Sequence, residues 1–469
     1  LAETGRDLAL DGILVSSADA ALRVARDVRV DGRLGADGAL DFSAGGNMRV
    51  GAAAQLDASE QARLAAAGNL ELAGAVRGDK GARLEAGGQM DLSGTAASAN
   101  GTLDLIAGLD MALSAGSRAL AGGVLQARAG GTLSAAGTVS SLADVILDAV
   151  SDISLAGQSL AAGKLTILSG GALATAADSR QQADGLVDVQ ADSATLAGML
   201  VAGQSAALQI DKDLSVDGTV LADAGALMAS SGGAITLGSQ SALQAGGLLQ
   251  AQAGGKLLAN GTISGQQDIV LKAGTDAELN GKAVANDSLS ADAGGNLTIG
   301  QAGLAQGSSE LLLNAGQDLR IAGTAGTATG AGGGGTLQAQ AGRDLFITGT
   351  ATAGSPIVLG ALRDIRIDGI ATALEGGLTA NAGQNLRVGT AGRMQASGGL
   401  STSAGADLDA DGIIAAGGGL TLTATGDARL GGVVAALGES AAGNATITAG
   451  RDSVSYTHLR AHETRGNLV

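Results

Sequence analysis

Cysteine is absent from the 469 residues. Disulfides, zinc–thiolate sites and thiol nucleophiles are excluded with it. Tryptophan is absent too, and the aromatic complement is Phe42, Phe346 and Tyr456. A core without large rings must be narrow, because Leu, Val, Ile and Ala fill only small spaces to native density. Pro356 is the sole proline. Basic residues are few: 28 Lys and Arg face 45 Asp and Glu, for a formal net charge of −17. No Lys/Arg run offsets this locally, so the chain repels nucleic acid and anionic membrane. No apolar run reaches the length of a transmembrane helix, and Leu1-Ala2-Glu3-Thr4 opens no signal-peptide pattern. The sequence begins in the middle of a repeat, so the expectation is a fragment of a longer chain.

Glycine supplies 80 residues, and 45% of the chain is hydrophobic, a balance that argues for a packed structure rather than disorder. One stretch recurs throughout. Ala341 to Gly349 reads AGRDLFITG, Ala315 to Gly323 reads AGQDLRIAG, and Ala382 to Gly389 reads AGQNLRVG. Aligned on the first apolar residue after the Asp/Asn slot, the units begin at Leu8, Val28, Met48 and Leu70. They continue through Leu173, Leu196 and Leu214 to Leu408, Ala428 and a degenerate Ser453. The spacing is about 21 residues over about 22 units, the size of repeat that marks a solenoid.

Within a unit the apolar period is two, as in Leu319-Arg320-Ile321 and Leu420-Thr421-Leu422-Thr423, which is strand patterning. The frequency of interior glycine excludes helices, since each costs about 1 kcal/mol relative to alanine. The expected fold is all-β: a right-handed parallel β-helix whose coils each contain two or three short strands. Coils about 4.8 Å apart would give a rod on the order of 100 Å long. Glycines such as Gly32, Gly94 and Gly281 sit at the corners, where positive φ is expected. The Asp/Asn slot is expected to bond nearby backbone N–H groups and, since stacked Asp repels itself, to face water or be interrupted. A Gly-rich insertion at 326–335 reads as a flexible loop. Residues 1–453 form the repeat region, and 454–469 read as a non-repetitive, non-native tail.

The A-G-x-D/N-L-x-h-x-G copies, with preceding strands such as Gly247-Leu248-Leu249-Gln250-Ala251, resemble the repeats of filamentous haemagglutinin and HecA-type adhesins. The resemblance covers about residues 1–453. It implies a right-handed β-helical shaft, secreted to the bacterial cell surface through a partner pore in the outer membrane. It also implies contact with a host or neighbouring-cell receptor or glycan. The same family includes stalks of contact-dependent growth inhibition toxins. The secretion domain and the C-terminal effector of such chains are not in this sequence.

Individual motifs carry less than the repetition. Arg77-Gly78-Asp79 is a candidate cell-attachment triplet in a corner between strands, and chance produces such triplets in a Gly- and Asp-rich chain. Gly330, Gly332 and Gly335 match G-x-G-x-x-G without the helix that dinucleotide binding requires. His458 and His462, beside Glu463, have the spacing of half a metal site. Paired carboxylates raise a polysaccharide-cleaving β-helix as an alternative, but the Asp slot repeats as a turn residue would, and Phe42 and Phe346 are far apart. Thr348-Thr350-Thr352 and Thr421-Thr423-Thr425 do not persist from coil to coil, so they read as exposed strand threonine. The reading is therefore of a non-enzymatic adhesin shaft with no cofactor and no metal. Both ends would present unpaired strand edges, so end-to-end self-association is expected.

Overall fold

The computed structural model describes residues 2–328, 334–438, 444–455 and 460–461. It is an all-β, parallel β-solenoid of about 21 turns with a period of about 20 residues. The chain divides into two compact units, Leu1–Ser230 and Ser231–Val469.

In the first unit the coils have three strands, except where the first two merge at Leu165–Thr175 and Val187–Leu196. Leu40–Ala44, Met48–Val50 and Gln55–Ala58 make one coil. Gln61–Ala66, Leu70–Leu72 and Ala75–Gly78 make the next. Every strand pairs in parallel with its counterpart one coil away: Phe42 with Leu64, Met48 with Leu70, Leu56 with Val76. Alternation decides which side chains enter the bore. The first, third and fifth residues of the long strand, the first and third of the short one, and the second and fourth of the last one are buried. Phe42 is the largest fully buried side chain and lies between Leu22 and Leu64. In the first coil Ile13, Leu14 and Val15 are exposed, although Leu34 and Leu56 in the same column as Leu14 are fully buried.

The second unit repeats the plan. Thr336–Ala341, Leu345–Ile347 and Thr350–Ala353 form one coil. Leu345 and Ile347 are fully buried, each stabilising the bore by about 1.5–3 kcal/mol relative to exposure. The insertion is narrower than the composition suggests. Gly326 and Thr327 belong to the strand Thr324–Thr327, paired with Gln306 and Gly307. Residues 329–333 lie outside the described residues. The buried Thr327 hydroxyl donates to Gly335 O at 2.8 Å and accepts from Gly354 N–H at 3.2 Å, tying the neck of the insertion to the next coil. The long unit from Ala428 to Ser453 interrupts the same corner, after Val433–Ala436. Beyond it, Ser453–Ser455 pairs with Ala428–Leu430, and Arg460 and Ala461 pair with Ala435 and Ala436, so these residues still stack on the coil beneath.

Two expectations are corrected. The alignment at Leu196 is two residues off: Leu173 pairs with Ala194, and Ala194 with Leu214. Here the corner between long and short strands is straightened into Leu165–Thr175 and Val187–Leu196, with a register shift between Ser169 and Ala172. A two-residue slip leaves every side chain on its own face, so the apolar pattern cannot detect it. The corner glycines are not selected by positive φ, for none of Gly32, Gly94, Gly281 and Gly349 has φ in the left-handed region. They are selected by the approach of the coil beneath. A Cβ on Gly94 would lie 1.9 Å from Gly74 O, and one on Gly281 1.9 Å from Gly261 O. Gly12, in the first coil, would meet nothing within 4 Å.

Candidate functional site

The recurring Asp/Asn slot does something other than a local turn. Asp27 C=O accepts from Leu8 N–H in the preceding coil at 3.0 Å. It is therefore turned away from the following coil, and the N–H of Asn47 there faces no carbonyl. The side chain of Asp27 supplies the acceptor: Asn47 N–H donates to its Oδ1 at 2.7 Å. The device repeats upward, Asn69 N–H to Asn47 Oδ1 and Gln89 N–H to Asn69 Oδ1, both at 2.9 Å. In the second unit, Asn296 N–H donates to Asp276 Oδ1 at 2.7 Å and Asp427 N–H to Asp407 Oδ1 at 2.8 Å. Each carboxylate or amide thus caps a donor one full coil away. A slot alanine removes the cap, and an unsatisfied amide costs about 1–3 kcal/mol if buried.

Stacked carboxylates need compensation, and in the second unit arginine provides it. Arg343 grips Asp318 with both arms, Nε to Oδ1 at 2.6 Å and Nη2 to Oδ2 at 2.5 Å. Arg363 grips Asp344 in the same way, with Nε to Oδ1 at 2.7 Å and Nη2 on Oδ2. The planar fork matches the carboxylate and gives strong, directional bonds. Hydrogen bonding from Arg343 is the largest influence on the Asp318 carboxyl and holds it below the usual carboxylate range. Asp344 is only 3% exposed. The water-facing expectation therefore fails at this slot: an arginine from the next coil, rather than solvent, answers the charge. The signal was the variable residue before the slot, which is Arg in Arg343-Asp344 and Arg363-Asp364.

Beside this network the outward face of the short strands carries a depression of about 350 Å³. Register stacks Glu278, Thr298, Arg320 and Phe346 in successive coils along it. Asp276 and Asn296 line its edge, with the Asp318–Arg343 pair beside them. Phe346 is the second residue of its strand and faces outward, part-exposed, in contrast to Phe42. What distinguishes the two rings is position within the strand, and the LRI–LFI–IRI series of Arg320, Phe346 and Arg366 is the readable sign.

The remaining motif residues are placed as follows. Arg77 and the buried Gly78 lie in the strand Ala75–Gly78, not in a corner, and Asp79 follows at its end. Arg77 Nη2 is 3.1 Å from Asp79 Oδ1, so the two charged groups of the triplet engage each other. They border a second depression with Arg33, Asp57, Ile13 and Val15. Gly330 and Gly332 lie outside the described residues, as do Tyr456, His458, His462 and Glu463. Thr350 and Thr352 sit at the outward positions of their strand, as Thr421 and Thr423 do of theirs. Among the described residues no cluster of three or more His, Cys, Asp and Glu could hold a metal ion, and no helix is long and apolar enough to cross a membrane.

Comparison with known proteins returns no match: no family model, no curated protein and no solved structure resembles the chain significantly.

Proposed function

We propose that the chain is a length of shaft from a secreted bacterial surface adhesin, whose task is to hold a binding module away from the producing cell. The observation that supports it is the coil itself. In both units the same strand positions enter the bore in coil after coil, and each coil is tied to the next by parallel ladders and Asp/Asn caps. Such a stack has stability set by neighbour-to-neighbour contacts and so can be lengthened or shortened by whole repeats. The parent protein would cross the outer membrane through a dedicated pore and meet a receptor or glycan on a host or neighbouring cell. Weak lateral contacts would add by avidity. Copies of this chain would also join end to end, and concentration-dependent sedimentation tests that part.

The decisive experiment alters length in the parent exoprotein on its own cells. Deleting Leu133–Asp152 removes one full repeat and joins Thr132 to Ile153 in register. Deleting Leu133–Leu142 removes half a repeat, so the long strand Val145–Ala149 falls where the short strand Met111–Leu113 needs its partner and the corners no longer stack. The shaft reading expects the full-repeat deletion to keep surface display and cell attachment, and the half-repeat deletion to lose both. Equal loss in the two variants would overturn it.

A further inference from the structure

The depression around Phe346 has properties that a shaft does not require. Its polar groups fall into two classes. Some are engaged: Arg343 is held by Asp318, Lys256 neutralises Glu278 at 2.7 Å, and Asn296 Nδ2 donates to Asp276 Oδ1 at 3.0 Å. Two charges have no counter-ion: among the described residues Arg320 and Asp276 have no ion pair, although both line the depression, and Asp276 accepts from Asn296 at Oδ1. One guanidinium therefore offers donors and one carboxylate offers acceptor capacity across a floor made by Thr298. The face of Phe346 stands next in line in the Arg320 column. The two ion pairs at the border cancel, and the charges of Arg320 and Asp276 cancel as well.

We infer that this depression, built from Asp276, Thr298, Arg320 and Phe346, is a binding site for a neutral pyranose unit of a glycan. A sugar hydroxyl both donates and accepts, so hydroxyls at separate points of a short glycan segment can donate to Asp276 and accept from Arg320, which a simple anion or cation cannot do together. The C–H face of the ring can lie on Phe346, as apolar bodies do on aromatic side chains. With local charge balanced, an anionic ligand gains nothing from the net field. The volume of about 350 Å³ lies at the small end of the ligand-pocket range of roughly 300–1,000 Å³, so the ligand is a short segment of a chain. The site breaks the repeat once: it holds the outward-facing Phe346 where neighbouring coils carry Thr298, Arg320 and Arg366.

Saturation-transfer NMR on the purified full chain tests this with neutral gluco-, galacto- and manno-oligosaccharides of two to four units, and with oligogalacturonate as the acidic counterpart. The expected result is transfer to at least one neutral series, insensitive to salt. Arg320→Ala and Phe346→Ala should each weaken it about tenfold, the scale of one charged hydrogen bond or aromatic contact. Thr298→Phe, which fills the floor and leaves both contact residues in place, should abolish it. Arg387→Ala, in the same column two coils beyond Phe346, should leave it intact. No transfer to any neutral sugar would overturn the inference. So would transfer only to oligogalacturonate that salt removes, or transfer unchanged in Phe346→Ala. None of these outcomes touches the shaft reading, since a stack of coils that takes up no sugar remains a stack of coils.

Discussion

Replacing Gly94 by alanine adds one methyl group at a corner where no side chain can yield. Its Cβ would lie 1.9 Å from Gly74 O, 2.5 Å from Ala73 O and 2.6 Å from Ala73 C, all of them backbone. Ordinary contact begins near 3.4 Å, so the two coils must part by about 1.5 Å at this corner. Two ladder bonds span it, Gly94 N–H to Leu72 O at 3.0 Å and Thr95 N–H to Gly74 O at 2.9 Å, and both would be stretched beyond hydrogen-bonding range. Losing them costs about 1 kcal/mol each, and the residual overpacking about 1–3 kcal/mol, for a total of about 3–5 kcal/mol. Gly116→Ala is the control in the same unit. Nothing lies within 4 Å of its Cβ and its φ is not left-handed, so the loss of unfolded-state freedom should stabilise by about 0.4–1 kcal/mol. Urea unfolding gives the overall difference, and native-state hydrogen exchange at residues 93–95 shows whether opening is local. If the two variants fall within about 0.5 kcal/mol of each other, an ordinary surface effect, close approach is not what selects corner glycine.

Asn69→Ala leaves the Gln89 N–H without its 2.9 Å acceptor and should cost about 1 kcal/mol, while Asn69→Asp should cost much less; equal losses would refute the capping role. Phe42→Ala, at a position with no exposure, should cost about 3–5 kcal/mol by thermal or urea unfolding. The Asp318 carboxyl should titrate below the ordinary range because Arg343 donates to it. A depressed folded pKa means that this contribution is complete above the unfolded value of about 3.9 and is lost as pH falls through the folded one. Carboxyl-detected NMR should show that shift, and Arg343→Gln should return Asp318 toward ordinary titration; an unchanged titration would contradict the pairing.

Much of the fold was legible in the sequence because a solenoid is specified locally. The L-x-I triplet with its preceding Asp or Asn placed Leu345 and Ile347 in the bore without knowledge of any distant contact. What stayed hidden depends on the third dimension. That Asp27 caps Asn47 needs the direction of the Asp27 carbonyl, which no pattern of residue types records. That Gly94 is needed for a carbonyl beneath it, rather than for its own φ, needs the stacking distance. The slip at Leu196 escaped because Ala194 and Leu196 both face inward. The depression around Phe346 was half visible: its column could be read from LRI, LFI and IRI, but the lack of a counter-ion at Arg320 and Asp276 could not, since it depends on which neighbours are held by Lys256 and Arg343.

That the repeats stack coil on coil is tested most directly by a distance along one column of the first unit. Register places Asp41, Arg63, Arg83, Asp104, Gln126, Ile146, Thr166 and Asp188 in successive coils. Asp41 and Asp188 should therefore lie about 34 Å apart, at about 4.8 Å per coil. The chain has no cysteine of its own, so spin labels on Asp41→Cys and Asp188→Cys report that distance by pulsed electron resonance. A peak near about 34 Å that shortens by about 5 Å when the second label moves one coil nearer, to Thr166, is the expected result. A distance that does not change in steps of one coil would contradict the stack.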